Sequence, residues 1–279
     1  MHTTTLINGQ YQDTILIGDR GLQYADGLFE TISVVAGFPC LWERHLARLQ
    51  LGCNTLKIAP IDFQQLTLDA HKIVANCTKG TLKIIITRGI GERGYKLPSK
   101  AKPTSILMLH PPINAPESWW QNGVQAQLCQ TPISSNPALA GIKHLNRLEQ
   151  ILARMEWTDP NIAEGLMCNT QGHWISGTKT NLFLVLDNNQ LLTPDLTASG
   201  IAGVMRSLVL DYAKSQGMKI QQGIVTTKAL EQAQSIFLTN ALIGMWPVRT
   251  LAGINYNIDS IPKALRTICS QATTNQLSI

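Results

Sequence analysis

The 279-residue chain has no apolar run of 18 residues and no signal-peptide pattern at its start. The first absence excludes a helical membrane span, and the two together predict a cytoplasmic protein. No CxxC pair occurs and no histidine stands at zinc-ligand spacing. Cys40, Cys53, Cys77, Cys129, Cys168 and Cys269 are dispersed instead, which excludes a disulfide framework and predicts reduced core thiols. Like charges never run together, and the net charge of +5 is scattered. That argues against a nucleic-acid surface and suits a mildly basic protein that handles an anionic metabolite. Internal repeats and low-complexity tracts are also missing.

What is present is the composition of a globular protein, 44% hydrophobic and 15% charged, long enough to bury a core in one large or two ordinary domains. The segment HPPINAP (His110 to Pro116) carries three prolines in seven residues, a density that stiffens a connection and stops regular structure. It divides the chain into a small domain over 1–110, a linker over 111–118 and a larger domain over 119–279. Before the linker, strands are predicted at Thr5 to Ile7, Leu28 to Val35, Phe38 to Leu41, Leu82 to Thr87 and Ile106 to Leu109, with helices at ERHLARLQLGCNTL and from Asp62 to Ala75. After it come Val124 to Cys129, a hairpin about Gln171-Gly172 and a second about Asp187-Asn188-Asn189. A helix then runs from a glycine-rich start to Gly217, followed by a strand at Ser235 to Leu238 and a C-terminal helix capped by Asp259 or Ser260. Many strands with short turns point to a twisted mixed or antiparallel sheet, not a doubly wound parallel one.

Four places could carry chemistry. In AGIKHLNRLEQ (Ala140 to Gln150) the residues Leu145, Leu148, Leu152 and Met155 recur with helical period, which places Lys143 at a helix start. There an ammonium gains nothing from the helix dipole. Such a lysine is either an ordinary solvated one or, if desolvated, a usable nucleophile and base. Arg48 lies off the apolar stripe of its helix, as a solvated arginine or as an anion ligand. RGIGERGYKLP follows a strand without opening an apolar-periodic helix, so it fits neither dinucleotide nor Walker spacing; it reads as a loop bearing Arg88, Arg93 and Tyr95. The amides of Gly203, Val204 and Met205 begin either a plain helix or an anion site.

AGIKHLNRLEQ, TRGIGERGY (Thr87 to Tyr95) and GDRGLQYADGLFET (Gly18 to Thr31) together resemble the aminodeoxychorismate lyases. These are fold-type IV pyridoxal-phosphate enzymes, the superfamily of the branched-chain and D-amino-acid aminotransferases. The likeness runs from about Leu6 to about Leu251. It implies an α+β, two-domain fold, a small α/β sandwich plus a larger mixed-sheet pseudo-barrel, acting as a homodimer on a small molecule. It also implies pyridoxal 5'-phosphate as cofactor, with Lys143 as the Schiff-base lysine that then moves the C4 proton. HLARL matches a superfamily HxxRL pattern whose arginine, Arg48, holds the phosphate with the amides at 203–205, Thr239 and Asn240. Thr180 and Asn181 would lie beside the ring, and Tyr24, Thr31, Arg88, Arg93 and Tyr95 near a carboxylate-bearing cyclic substrate. The reaction implied is conversion of 4-amino-4-deoxychorismate to 4-aminobenzoate and pyruvate, a carbon–oxygen lyase step in folate biosynthesis.

One position departs from the superfamily. Where a glutamate usually faces the pyridine nitrogen, at the start of EGxxxNLF, this chain reads SGTKTNLF and offers Ser176. A hydroxyl can hydrogen-bond that nitrogen but brings no negative charge to keep it protonated. Elimination that yields an aromatic ring asks less of the electron sink than transamination does. Two other readings stand beside the lyase: a D-amino-acid or branched-chain aminotransferase, and a pyridoxal-phosphate-binding homologue without turnover. Arg93-Gly94-Tyr95, in place of the D-amino-acid transaminase RxH pair, counts against the first.

Overall fold

The structure, a computed structural model, describes residues 4–187 and 190–277. Its contacts divide the chain into two compact units. The first comprises 1–113, 142–146 and 273–279, and the second 114–141 and 147–272. The expected continuous second domain is therefore interrupted, because the five residues around Lys143 pair with the first unit.

The first unit is built on an antiparallel sheet. Strand β1 (Thr4–Ile7) turns back into β2 (Gln10–Tyr11), while β3 (Gly27–Val35) turns into β4 (Phe38–Pro39) through Ala36 and Gly37. The last two have φ of 52° and 82°, the positive pair that a tight hairpin with native twist needs. With β5 (Lys79–Thr87) and β6 (Thr104–His110), the order is β2-β1-β6-β5-β3-β4. Helices α2 (Trp42–Thr55) and α3 (Phe63–Val74) pack on β3 and β6, and Asp62, where the second helix was expected to begin, caps α3. The short α1 (Arg20–Tyr24), capped by Asp19, has no sequence periodicity to announce it.

The second unit contains α4 (Ser118–Gln121) and strands β7 (Val124–Leu128), β8 (Ile162–Cys168), β9 (Trp174–Gly177), β10 (Asn181–Val185), β13 (Ser235–Asn240) and β14 (Gly244–Leu251). Both β7 pairings are parallel and the others antiparallel, and β9 pairs back onto β10. The six strands thus close into a ring, the mixed pseudo-barrel expected. Beyond it lie β11 (Leu191–Pro194), β12 (Ile220–Gly223) and β15 (Ile254–Asn255). Of the second predicted hairpin turn, Asn188 and Asn189 fall outside the described residues. Along β10 and β13 one face, with Leu182, Leu184, Ile236 and Leu238, builds the main core. On the other face Phe183 and Phe237 stack with ring centroids 4.8 Å apart. Helices α6 (Val204–Ser215), α7 (Thr227–Gln232) and α8 (Lys263–Thr273) complete the unit, and α6 packs on β13. Gly217, with φ of 66°, follows the end of α6 as a left-handed cap. The C-terminal helix starts after Pro262, and the residues expected to cap it, Asp259 and Ser260, lie in a preceding 3-10 turn.

One prediction fails informatively. The helix expected from His144 onward is α5, which spans only Leu148–Arg154. Its apolar stripe faces outward, Leu148, Ile151, Leu152 and Met155 being 73, 54, 54 and 72% exposed. Lys143 and its neighbours are instead extended alongside β3: His144 forms an antiparallel bridge with Leu28, and the Leu145 N–H donates to the Gly27 carbonyl at 3.0 Å. The helix-dipole argument for Lys143 therefore does not hold. Truncating the buried ring stack, Phe237→Ala, is expected to cost about 3–5 kcal/mol in urea unfolding, whereas Leu68→Ala, at an exposed position of α3, stays within about 0.5 kcal/mol.

Candidate active site

Lys143 owes its position to β3. The Phe29 N–H donates to the Lys143 carbonyl at 3.0 Å, and the Lys143 Nζ stands 4.1 Å from the centre of the Phe29 ring, a cation–π geometry. The close approach needs glycine at 27, where a Cβ would come within 2.4 Å of the Ile86 carbonyl and 2.9 Å of Leu145 Cδ1. Side chains alternate along a strand, so Thr31 shares the Phe29 face while Leu28 and Glu30 point the other way.

Glu30 is buried and takes bonds from two residues of α2. The His45 Nδ1 lies 2.6 Å from Oε2, the Arg48 Nε donates to Oε1 at 2.8 Å, and the Arg48 Nη2 donates to Oε2 at 2.5 Å. Burial opposes ionisation of this carboxyl, but the charges and hydrogen bonds of Arg48 and His45 outweigh it and hold Glu30 down to about 2. For His45, burial lowers the pKa, and the charges of Arg48 and Lys143 push in the same direction against Glu30. Its Nδ1–H therefore serves the carboxylate, while its Nε2 is buried without a hydrogen-bond partner. Two of the nitrogens in the guanidinium expected to grip phosphate are thus committed to a carboxylate, a pairing that the HxxRL pattern did not reveal.

The loop residues separate into two groups. Arg88 is buried, with Nε and Nη2 on Asp26 at 2.7 and 3.0 Å, Nη1 on the Lys57 carbonyl and Nη2 also on the Leu56 carbonyl. It is a clamp across three segments and not the substrate group expected from its place after a strand. Asp26, also bonded by Arg20 Nε at 2.9 Å, keeps a lowered pKa; burial works against this, but both arginines prevail. Arg20 in turn reaches the Gly94 carbonyl, and the Gly94 N–H donates to the Tyr24 hydroxyl. Tyr24 and Tyr95 meet edge to face at 5.8 Å. Arg93 and Tyr95 are exposed on this loop, available to a ligand.

In the second unit, register brings three expected residues into one row. Ser176 on β9 pairs with Asn181 on β10, which pairs with Thr239 on β13. Directly paired residues project to the same face, so three buried polar side chains lie side by side in largely apolar strands. Asn181 Nδ2 donates to the Ile201 carbonyl at 2.8 Å, and a Cβ on Gly203 would sit 1.9 Å from Asn181 Oδ1. The row therefore abuts the start of α6, where Gly203 provides no side-chain cap. The first amides of a helix have no acceptor within it, a disposition that suits an anion. The Thr239 hydroxyl is buried without a partner, as a site awaiting a polar ligand would leave it. Asn240 departs from expectation: Oδ1 accepts from the Leu242 and Ile243 amides and Nδ2 donates to the Lys179 carbonyl, so its side chain builds a turn. Sequence reasoning missed Glu164, a buried acid beneath Thr180; a single carboxylate in the apolar strand IAEGLMC was the available signal.

Residues 27–251 match the family described as Amino-transferase class IV. The chain belongs to this family. Among its relatives, the aminodeoxychorismate lyase of Vibrio harveyi is 35% identical over 91% of this chain and 93% of that protein. A putative branched-chain-amino-acid aminotransferase of Methanocaldococcus jannaschii is 27% identical over 93% of each. The crystal structure of 4-amino-4-deoxychorismate lyase from Pseudomonas aeruginosa is 42% identical and superposes with a TM-score of 0.90 over 96% of this chain and 97% of that one. The branched-chain amino acid aminotransferase of Escherichia coli, 20% identical with a TM-score of 0.82 over 99% and 95% of the two chains, shares the fold. This class IV chain is thus an α+β protein of fold type IV.

The electrostatics of this class IV site make a prediction. Glu30 ionises near 2 in the folded chain against an ordinary 4.5, so its stabilising contribution is complete above 4.5 and fades as pH falls toward 2. Acid unfolding of Glu30→Gln, followed by circular dichroism, should show a shallower loss of stability across that window than the wild type, with the largest deficit above it. Equal slopes would contradict the assigned ionisation.

Proposed function

We propose that this protein is a pyridoxal-phosphate-dependent aminodeoxychorismate lyase, which converts 4-amino-4-deoxychorismate to 4-aminobenzoate and pyruvate in folate biosynthesis. The observation that carries the reading is the near full-length identity, 35 and 42%, to two proteins of that name. The fit of the cofactor rests on features of the fold itself: uncapped amides at a glycine-led helix, a partnerless buried Thr239 hydroxyl beside them, and a half-buried lysine.

Bound pyridoxal phosphate supplies an electron sink conjugated with the amine-bearing carbon of the substrate. Lys143 would hold the cofactor through Nζ, and its free amine is the base that takes the proton from C4 of the substrate, with pyruvate leaving from C3. The amides at 203–205, Thr239 and Arg48 would hold the phosphate, with Asn240 shaping the adjoining turn. Thr180 and Asn181 would serve the ring. Ser176 would offer the ring nitrogen a neutral partner, enough for an elimination driven by aromatisation and a handicap for transamination. On the substrate side, Arg93, Tyr95, Tyr24 and Thr31 contact the ring and carboxylates, while Arg88 holds their loop through Asp26.

The outward stripe of α5, with Leu148, Ile151, Leu152 and Met155 on one helical face, supports a homodimer, since a monomer gains nothing from exposing it. Six free thiols, and the absence of any described helix able to cross a membrane, fit a cytoplasmic enzyme. A second reading, binding without turnover, draws on Ser176 alone.

Borohydride reduction of the holoenzyme followed by peptide mapping should label Lys143; a label on another lysine would end the assignment. Lys143→Ala should lower 4-aminobenzoate formation by about 10²- to 10⁴-fold, and D-alanine with 2-oxoglutarate should give little pyruvate. Rapid pyruvate release would instead identify a transaminase. Ile151→Asp should shift the molar mass measured by light scattering from dimer toward monomer, and an unchanged mass would remove α5 from the interface.

A further inference from the structure

Glu164 on β8 is fully buried, and among the described residues no ion pair reaches it. Five neutral donors hold its carboxylate. Oε1 accepts from the Gly165 N–H at 3.0 Å, the Thr178 N–H at 3.1 Å and the Thr178 hydroxyl at 2.5 Å; Oε2 accepts from the Lys179 N–H at 3.3 Å and the Thr180 hydroxyl at 3.0 Å. A buried charge without a cation is costly unless its acceptor sites are filled, and here four of the five donors belong to the turn that joins β9 to β10. Ser176 stands just before that turn and Asn181 just after it, and these two are register partners in the polar row. The carboxylate also fixes hydroxyl direction: with their protons given to Glu164, Thr178 and Thr180 can only accept from any further group. Asn181 passes the alignment on to the Ile201 carbonyl and to Gly203 at the start of α6.

We infer that Glu164 is a positioning residue of the cofactor cradle: through the turn at Thr178 to Thr180 it sets where Ser176, Thr180 and Asn181 stand and makes Thr180 an obligate acceptor. It touches neither substrate nor reacting atoms. The inference rests on the proposed pyridoxal-phosphate reading and adds to it a residue on a strand that carries no other predicted site residue. An apolar side chain of similar volume would leave the turn's amides and hydroxyls buried without acceptors, so a carboxylate is the group this place calls for.

The test measures pyridoxal phosphate binding to the full-length apoprotein, by absorbance and by the induced circular dichroism of the bound chromophore, alongside the melting temperature of the apoprotein. The variants are Glu164→Gln, Thr178→Val and, as a stability control on a helix that carries no proposed site residue, Leu265→Ala on α8. Glu164→Gln is expected to weaken binding about tenfold or more and to change the induced dichroism. Thr178→Val, which removes one of the five donors from Glu164 without touching a proposed cofactor ligand, should weaken it by a smaller factor, about two- to fivefold. The control should lower the melting temperature while leaving affinity and dichroism unchanged. If Glu164→Gln melts earlier but binds and rotates light as the wild type does, Glu164 is only a structural acid and the inference falls. If that variant does not fold, unchanged affinity in Thr178→Val overturns the inference and weakened affinity supports it. Failure of the wild type itself to bind pyridoxal phosphate would instead sink the functional reading, which keeps the two failures distinct.

Discussion

The backbone pairing of residues 143–145 with β3 is the constraint on which the catalytic reading depends. Two hydrogen bonds, from the Phe29 amide to the Lys143 carbonyl and from the Leu145 amide to the Gly27 carbonyl, borrow a lysine from the sequence of the second unit and attach it to the sheet of the first. A strand edge fixes a backbone more tightly than a loop can, and a reacting amine needs that fixity, because catalysis is sensitive to displacements of an ångström or less. Gly27 is the permissive residue and Phe29 the platform. Neither performs chemistry, and both determine where the amine stands.

Three carboxylates recur as organisers, Glu30 and Glu164 buried and Asp26 half-buried. Glu30 ties α2 to β3 through His45 and Arg48. Asp26 gathers Arg20 and Arg88 and, through Arg20, the loop ending at Tyr95. Glu164 gathers the turn that leads into Asn181. Each is surrounded by donors from segments distant in sequence, so each converts a desolvation cost into a choice of geometry. The apolar core sets the fold, while these acids set the loops that bear function.

Much of this was legible beforehand, for physical reasons. Strand runs such as Leu82 to Thr87 and Ile106 to Leu109, and the helix start at Asp62, are local signals, and local signals survive folding. Arg48, Ser176, Asn181, Thr239 and the α6 start were singled out only because motifs resemble a family, since spacing alone left each with a plain structural alternative. What failed was tertiary. The apolar period after His144 was real, yet it marks an exposed stripe, because 143–145 are held extended by a strand far away in sequence. Arg88 looked like a ligand and is a clamp, because Asp26 and the adjoining carbonyls of Leu56 and Lys57 reach it from two other segments. Glu164 and the pairing of Arg48 with Glu30 left no local periodicity to detect.

The proposed chemistry is an elimination, driven by formation of an aromatic ring, at an amine held beside β3. The most direct measurement supplies enzymatically generated 4-amino-4-deoxychorismate to the holoenzyme and quantifies both products with time. The account predicts equal amounts of 4-aminobenzoate and pyruvate, formed catalytically and without a keto-acid acceptor. Absence of 4-aminobenzoate while the cofactor remains bound, or product formation that requires a keto acid, would contradict it.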